Sequence, residues 1–225
     1  MTETALGSPR LDSVGTQTAR EIRQRRRLPM MLAKRCADIL VAALGLIISA
    51  PLWLIICAAV LVEDGWPAFF RKRCVGLGGS QFSQLKFRSM VRDAERLTGP
   101  VLSWPGDPRI TRIGSLLRQT ALDELPQLVN ILLGQMSFVG PRPQRAALVE
   151  AYLREIPNYG RRHLVRPGLT GVAQVYGRYH TPPRQKLRYD LLYVRKAGLA
   201  LDARLVLASF WISLNGKWSS RDARR

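Results

Sequence analysis

The chain has 225 residues, 47% hydrophobic and 23% charged, and its 35 lysines and arginines against 16 aspartates and glutamates give a formal net charge of +19. That length carries one core-bearing domain with an added element, short of two ordinary domains, and the apolar content excludes a wholly disordered chain. The basic excess calls for polyanionic partners, while Cys36, Cys57 and Cys74, in no framework or metal spacing, fit a reducing cytoplasm and exclude a disulfide-stapled secreted domain.

Residues 1–29 are polar, with a cluster at Arg23, Arg25, Arg26 and Arg27, and read as a flexible basic tail. No cleavable signal peptide is expected, because the apolar run begins too late and is too long. That run, Ile39 to Val62, holds no charge and exceeds the ~18 residues that suggest membrane residence. Pro51 interrupts it, removing a backbone donor and clashing with the carbonyl four residues earlier, so a kink is expected there. The Ser49 hydroxyl is the nearby group that could satisfy the freed carbonyl. Two shapes are compatible: a kinked span, or a helical hairpin that dips into one leaflet and returns. Arg25, Arg26, Arg27, Lys34 and Arg35 precede the run, and Arg71, Lys72 and Arg73 follow it. Short basic flanks prefer the cytoplasmic side, so the expectation is a re-entrant helix over 30–65, broken at Pro51, with residues 66–225 forming a cytoplasmic domain.

In that domain Phe69-Phe70, a glycine-rich turn at Gly76-Leu77-Gly78-Gly79 and a strand over Gln81–Phe87 predict a small β-hairpin. No P-loop or dinucleotide spacing accompanies the glycines, so a tight turn is expected of them. Helical periodicity follows around 110–119, 123–133, 142–155 and 184–197. The apolar segment Leu199–Leu214 contains Trp211, with Trp218 and basic residues behind it, and reads as a helix at a membrane interface or as ordinary core. The fold class is α+β, mainly helical.

The most informative stretch is Arg118-Gln119-Thr120-Ala121-Leu122-Asp123-Glu124-Leu125-Pro126-Gln127-Leu128. Pro126 belongs in a first helical turn, which places Asp123 at or near an N-cap, with Gly134 closing the helix. Asp123 then simply caps the helix and Glu124 answers its dipole. The same geometry suits a nucleophile, since a carboxylate there stays ionised and arriving phosphate oxygens meet oriented N–H groups. Adjacent carboxylates can divide the work, one attacking phosphorus and the other holding Mg²⁺, and Arg109, Arg112 and Arg118 could clamp a diphosphate.

Several segments resemble the bacterial sugar transferases, monotopic phosphoglycosyl transferases that start glycoconjugate assembly on polyprenyl phosphate. They are Lys34-Arg35 with Asp38, Lys86-Phe87-Arg88-Ser89-Met90, Asp107-Pro108-Arg109-Ile110-Thr111-Arg112-Ile113-Gly114, Leu122 to Leu128, Met136-Ser137-Phe138-Val139-Gly140-Pro141-Arg142-Pro143, and Arg166-Pro167-Gly168-Leu169-Thr170-Gly171, with Tyr189-Asp190 after them. Order and spacing hold over roughly residues 31–215, and it is this order that is specific. The chain differs from the family's habits at Ala50, Ala121, Gln135 and Val172. No further apolar span precedes residue 31, as in the small form of the family.

The resemblance implies that a nucleotide diphosphate sugar, with uridine the expected nucleoside, binds with Mg²⁺, and that Asp123 attacks the β-phosphorus. A phosphosugar remains on the carboxylate until polyprenyl (undecaprenyl) phosphate takes it. Glu124 matches the metal-associated carboxylate. Lys86, Arg118 and Asp202 match positions that support the dyad or the phosphates, Arg142 within Pro141-Arg142-Pro143 matches a nucleotide-side contact, and Arg88 and Arg112 complete the substrate-binding set. The implied location is the cytoplasmic face of a bacterial inner membrane, with anionic lipid as a further partner, a role in exopolysaccharide, O-antigen, capsule or glycoprotein glycan assembly, and a homodimer left open.

Other residues carry plainer expectations. His163 and His180 lack metal-ligand spacing and are read as surface residues. Arg166-Pro167-Gly168 is a turn or a substrate contact, Asp190 an ion-pair partner, and Asp202 a charge among apolar residues that needs a basic partner such as Lys86. Two other function classes compete: a membrane-anchored scaffold binding anionic lipid, and a nucleic-acid binder, which would need a recognition motif or aromatic platforms among its basic residues. Neither feature is present in the sequence.

Overall fold

A computed structural model describes residues 28–214 apart from 95, 97–98, 100, 102, 105 and 178–180. The basic cluster at Arg23–Arg27, His180 and Trp218 lie outside the described residues. The elements run α1 (Leu28–Asp64), β1 (Phe69–Val75), β2 (Gln81–Phe87), α2 (Arg112–Thr120), α3 (Gln127–Leu132), β3 (Ser137–Val139), β4 (Gln144–Arg145), α4 (Ala146–Glu155), β5 (Gly168–Thr170), α5 (Val172–Tyr176), α6 (Pro183–Lys196) and α7 (Leu199–Leu214). Short 3-10 turns occupy Leu77–Gly79, Leu122–Glu124 and Tyr159–Leu164.

The helix α1 spans 37 residues with Pro51 inside it, and continues through that proline instead of breaking there. The Ser49 hydroxyl donates to the Gly45 carbonyl at 2.6 Å and accepts from Trp53 Nε1 at 3.0 Å. It therefore serves a different carbonyl from the one four residues before Pro51. One stripe of α1 faces the domain along its whole length: Asp38, Ala42, Ile56 and Val60 are buried, with Gly45, Leu46, Leu52, Trp53 and Cys57 half-buried between them. The opposite stripe, including Leu40, Leu44, Ile47, Ile48, Leu54, Ile55 and Val62, is exposed.

Polar contacts pin both ends of α1 to the same domain. Lys34 Nζ lies 2.6 Å from Asp202 Oδ2 on α7. The Arg35 guanidinium donates to the Ile131 and Leu132 carbonyls at 2.6 and 2.8 Å, satisfying acceptors at the C-terminal end of α3. Asp38 Oδ1 accepts from Ser137 Oγ and the Phe138 amide, both at 3.1 Å. At the far end, Glu63 accepts from the Arg112 and Ile113 amides at 2.7 and 3.0 Å, and Thr111 Oγ1 accepts from the Gly114 amide at 2.9 Å, so the first turn of α2 is capped from two sides.

The expected hairpin forms, with Phe70 opposite Lys86 and Lys72 opposite Gln84. Gly78 and Gly79 take positive φ in the connecting turn, as the tight-turn reading requires. Two features were not anticipated. The short β4 pairs with the other edge of β1, Cys74 opposite Arg145, and β3 pairs in parallel with β5. The helix expected from residue 142 begins only at Ala146, because the Pro141-Arg142-Pro143 segment stays in the loop and Gln144–Arg145 join the sheet.

Apolar layers fill the space between these elements. Ala42, Cys74, Phe82, Leu128, Ile131 and Met136 pack under the first half of α1, and Ile56, Val60, Ala68, Phe87 and Leu117 under the second. The helix α7 buries Leu205 and Ile212 against Val139, Val175 and Tyr193, while Leu207, Phe210, Trp211 and Leu214 stay exposed.

Candidate active site

The Asp123–Glu124 pair sits in the 3-10 turn between α2 and α3. The helix α2 stops at Thr120 because Ala121 adopts a left-handed conformation, φ 59° and ψ 17°. The chain then makes the Leu122–Glu124 turn, and Leu125 and Pro126 lead in helical geometry into α3. Asp123 therefore lies inside the turn and its side chain caps neither element, unlike the capping role expected from the sequence. It is nonetheless buried, 6% exposed, as a cap at a helix end need not be.

Two cations from other elements meet the pair. Lys86, on β2, places Nζ 3.1 Å from Asp123 Oδ2 and 2.7 Å from Glu124 Oε1. Arg142, in the loop between β3 and β4, grips Glu124 from both guanidinium ends, Nη2 to Oε1 at 2.5 Å and Nη1 to Oε2 at 3.4 Å. Among the described residues Asp123 has the single partner Lys86, whereas Glu124 is held by Lys86 and Arg142. Burial pushes the Glu124 carboxyl up, but the charges of Arg142 and Lys86 and their hydrogen bonds outweigh it and hold the group well below the usual carboxylate range. Burial likewise works against the Lys86 charge, and Asp123 with Glu124 more than offsets it, so Lys86 remains an ammonium. The two carboxylates differ in consequence: Glu124 is a fixed charge, and Asp123 is the less encumbered oxygen donor.

The loop that carries Arg142 is held from behind. Gly140 and Gly168 approach so closely that a Cβ on Gly140 would sit 2.2 Å from the Arg166 carbonyl oxygen, and one on Gly168 2.0 Å from the Gly140 nitrogen. The Gly140 amide donates to Thr170 O at 2.9 Å and the Gly168 amide to Pro141 O at 3.0 Å. Pro141 and Pro143 are buried and fix the loop on either side of Arg142. Arg162 lies beneath, donating to the Arg142 carbonyl at 2.7 Å and to Asp190 Oδ2 at 2.8 Å.

The remaining sequence candidates fall elsewhere. Arg88 is buried and donates to the Asp64 and Gly65 carbonyls at 3.0 and 2.5 Å, closing the C-terminus of α1. Arg112 contributes its amide to the Glu63 cap, and the Arg118 carbonyl accepts from the Ala121 amide; among the described residues neither side chain bonds the pair. Arg109 closes on Asp107, Nη2 to Oδ2 at 2.6 Å, and lies over the Trp104 ring. Asp202 has Lys34 and the Tyr193 hydroxyl as partners, not Lys86, which is engaged at the dyad. Arg166 is drawn to the Gly134 carbonyl at 2.9 Å, Asp190 takes the ion-pair role expected of it, and His163 is buried, contrary to its surface assignment, because the 3-10 turn at Tyr159–Leu164 folds into the core.

Lys72 and Arg162 are the site-proximal cations that sequence reasoning missed. Lys72 sits between Arg71 and Arg73 and reads as part of a membrane flank, although strand alternation puts it on the Lys86 side of the hairpin. Among the described residues no cluster of three His, Cys, Asp or Glu could hold a metal. Two adjacent carboxylates do suit a Mg²⁺ that completes its oxygen shell with water and a diphosphate, an arrangement this ion commonly adopts.

The sequence profile of the bacterial sugar transferase family matches residues 29–216. The chain is 43% identical over 182 residues to a UDP-glucose:undecaprenyl-phosphate glucose-1-phosphate transferase of Xanthomonas campestris pv. campestris, covering 79% of this chain and 38% of that protein. It is 43% identical over 188 residues to a Caulobacter vibrioides protein of the same name, covering 80% of this chain and 69% of the relative. A UDP-N-acetylgalactosamine-undecaprenyl-phosphate N-acetylgalactosaminephosphotransferase of Aeromonas hydrophila is 38% identical over 186 residues, covering 81% of this chain and 44% of its own length. The chain thus spans less than half of the Xanthomonas and Aeromonas proteins.

Proposed function

Because this chain belongs to the bacterial sugar transferase family, we propose that it transfers a sugar-1-phosphate from a UDP-sugar to undecaprenyl phosphate through a covalent intermediate on Asp123. The single observation that carries this is the asymmetry of the dyad: a buried carboxylate with one partner lies beside one clamped by two cations. In the first step an Asp123 oxygen forms a bond to the β-phosphorus and the bond from that phosphorus to the bridging oxygen breaks, so uridine monophosphate leaves with the electron pair. In the second, an oxygen of the lipid phosphate attacks the same phosphorus and the Asp123 carboxylate departs. Each step needs charge stabilisation on the phosphoryl oxygens, which Lys86 and Arg142 are placed to provide. Glu124 would hold Mg²⁺, which when bound neutralises diphosphate charge. The names of the relatives support the substrate classes.

In this reading α1 enters one leaflet and keeps both ends on the cytoplasmic side of the inner membrane. The support is geometric. A helix of 37 residues is about 55 Å long if straight, more than the ~30 Å hydrocarbon core, yet Lys34 at one end and Glu63 at the other bond the same domain. A simple span would carry those two ends to opposite sides. The exposed stripe of α1 and the exposed Phe210, Trp211 and Leu214 of α7 are the surfaces that would meet lipid, and the Arg23–Arg27 cluster would add attraction to anionic headgroups.

The test is release of uridine monophosphate by the purified full chain given a UDP-sugar, Mg²⁺ and undecaprenyl phosphate. Release that requires the lipid acceptor for sustained turnover supports the transferase. A chain that binds anionic vesicles but releases no monophosphate from any of a panel of UDP-sugars is the scaffold instead.

A further inference from the structure

The hairpin register puts Phe70, Lys72 and Cys74 on one face of β1, together with their cross-strand neighbours Lys86 and Gln84 on β2 and Arg145 on β4. That face looks towards the dyad: Lys86 reaches both carboxylates, and Gln84 donates to Gln127 Oε1 on α3 at 2.8 Å. Lys72 is therefore a diagonal neighbour of Lys86 on one side and of Arg145 on the other.

Among the described residues Lys72 has no anionic partner, unlike Lys86 and Arg142. Among the described residues its ammonium makes no ion pair or hydrogen bond, and it is only partly exposed. Lys86 and Arg142 are already balanced by Asp123 and Glu124, so Lys72 adds positive charge that nothing at the dyad cancels. Burial pushes this ammonium down to about 8; the Cys74 thiol pulls the other way, and the like charges of Lys86, Arg142 and Arg145 depress it further. Such a group is costly to hold without a partner and is well placed for an incoming oxyanion.

We propose that Lys72 is a phosphate-binding residue of the donor site, its ammonium taking an oxygen of the nucleotide diphosphate while Lys86 and Arg142 hold the carboxylates. This rests on the donor reading above and extends it. The division of labour follows from charge: the two cations bonded to the dyad stabilise the reacting carboxylates, and the unpartnered one meets the ligand.

The experiment is calorimetric binding of uridine diphosphate to the full chain in detergent, comparing wild type with Lys72→Gln and Lys72→Arg, alongside monophosphate release by each. Lys72→Gln is expected to weaken binding by about tenfold or more, the loss of one charge-assisted hydrogen bond, and Lys72→Arg to retain most of the affinity. Wild-type affinity should fall with added salt and above pH 8 more steeply than that of Lys72→Gln. The Gln variant should melt no lower than wild type, since it removes an uncompensated charge; a lower melting temperature identifies a structural role and overturns the proposal. Unchanged uridine diphosphate binding by Lys72→Gln, with wild type still releasing monophosphate, overturns this inference alone. Wild type that neither binds the diphosphate nor releases monophosphate removes the donor reading and this inference together.

Discussion

Arg162 donates from Nη2 to the carbonyl oxygen of Arg142 at 2.7 Å, joining the core of the domain to the loop that grips Glu124. Its other donors reach Asp190 Oδ2 at 2.8 Å and the Tyr159 hydroxyl at 3.2 Å. Both members of the ion pair are buried, so the contact acts as a rigid strut and not as a solvated surface bridge. Arg162→Leu leaves the Asp190 carboxyl buried and unpaired, and should cost about 3–5 kcal/mol in denaturant unfolding. The double change to Leu at both positions should recover most of that stability. It should still turn over more slowly than wild type, because the Arg142 carbonyl has lost its donor. Full activity in a folded double variant would show that the strut does not position Arg142.

His163 gives the fold a defined sensitivity to acid. Burial, helped by the Arg162 charge, pushes its imidazole down to about 3 from the ~6.5 of an unfolded chain. The unfolded state therefore binds a proton that the folded state refuses between those values. Stability is fully present above pH 6.5 and falls as pH drops towards 3, by up to ~1.4 kcal/mol per pH unit. Unfolding midpoints at pH 7 and pH 5 should differ less in His163→Phe than in wild type. Equal pH dependence in the two proteins would mean that the imidazole protonates in the folded state.

Backbone geometry on the two sides of the dyad predicts opposite outcomes. Ala121 holds φ 59° immediately before the turn, a conformation that costs a residue bearing a Cβ roughly 1–2 kcal/mol. Ala121→Gly should consequently be stabilising by a few tenths to about 1 kcal/mol, once the added freedom of the unfolded chain is subtracted. Gly140→Ala should do the reverse, because its Cβ would meet backbone at 2.2 Å. Loss of the folded state, or a displaced Arg142 loop with depressed activity, is expected, and a wild-type melting temperature with wild-type rate would contradict the packing.

Much of the architecture was legible because its signals are local. The apolar run, the hairpin, the α2–α3 helical periods and the dyad each declare themselves within about two dozen residues. Pro51 misled as to continuity: the helix runs through it, with the flanking turns tied by Ser49 to Gly45 and Trp53. The parallel β3–β5 pair was hidden because each strand has only three residues and no alternation to read. The partners of Asp202 and Asp190 come from Lys34 and Arg162, pairings fixed by helix docking and not by sequence spacing. Lys72 was legible in principle, since period-two alternation separates it from Arg71 and Arg73 and puts it in phase with Lys86. Its lack of a counter-charge needed the third dimension.

Glu124 is bonded to both cations, so its replacement should disturb more than one interaction. Glu124→Gln removes the charge that holds Arg142 and leaves Asp123 as the one carboxylate at Lys86. Turnover should drop by about a hundredfold or more, the usual cost of losing a group that organises transition-state charge, and the Mg²⁺ concentration for half-maximal rate should rise. An unchanged rate with unchanged Mg²⁺ dependence would exclude the metal role.

Transfer by this route requires the side chain of Asp123 to become a temporary acyl phosphate. Intact-mass and peptide analysis of protein quenched in acid moments after UDP-sugar addition, without lipid acceptor, measures this most directly. The predicted result is the mass of one sugar phosphate on the peptide containing Asp123, discharged by undecaprenyl phosphate and absent from Asp123→Asn. Product formation by a protein that carries no such adduct, or by the Asn variant at wild-type rate, would contradict it.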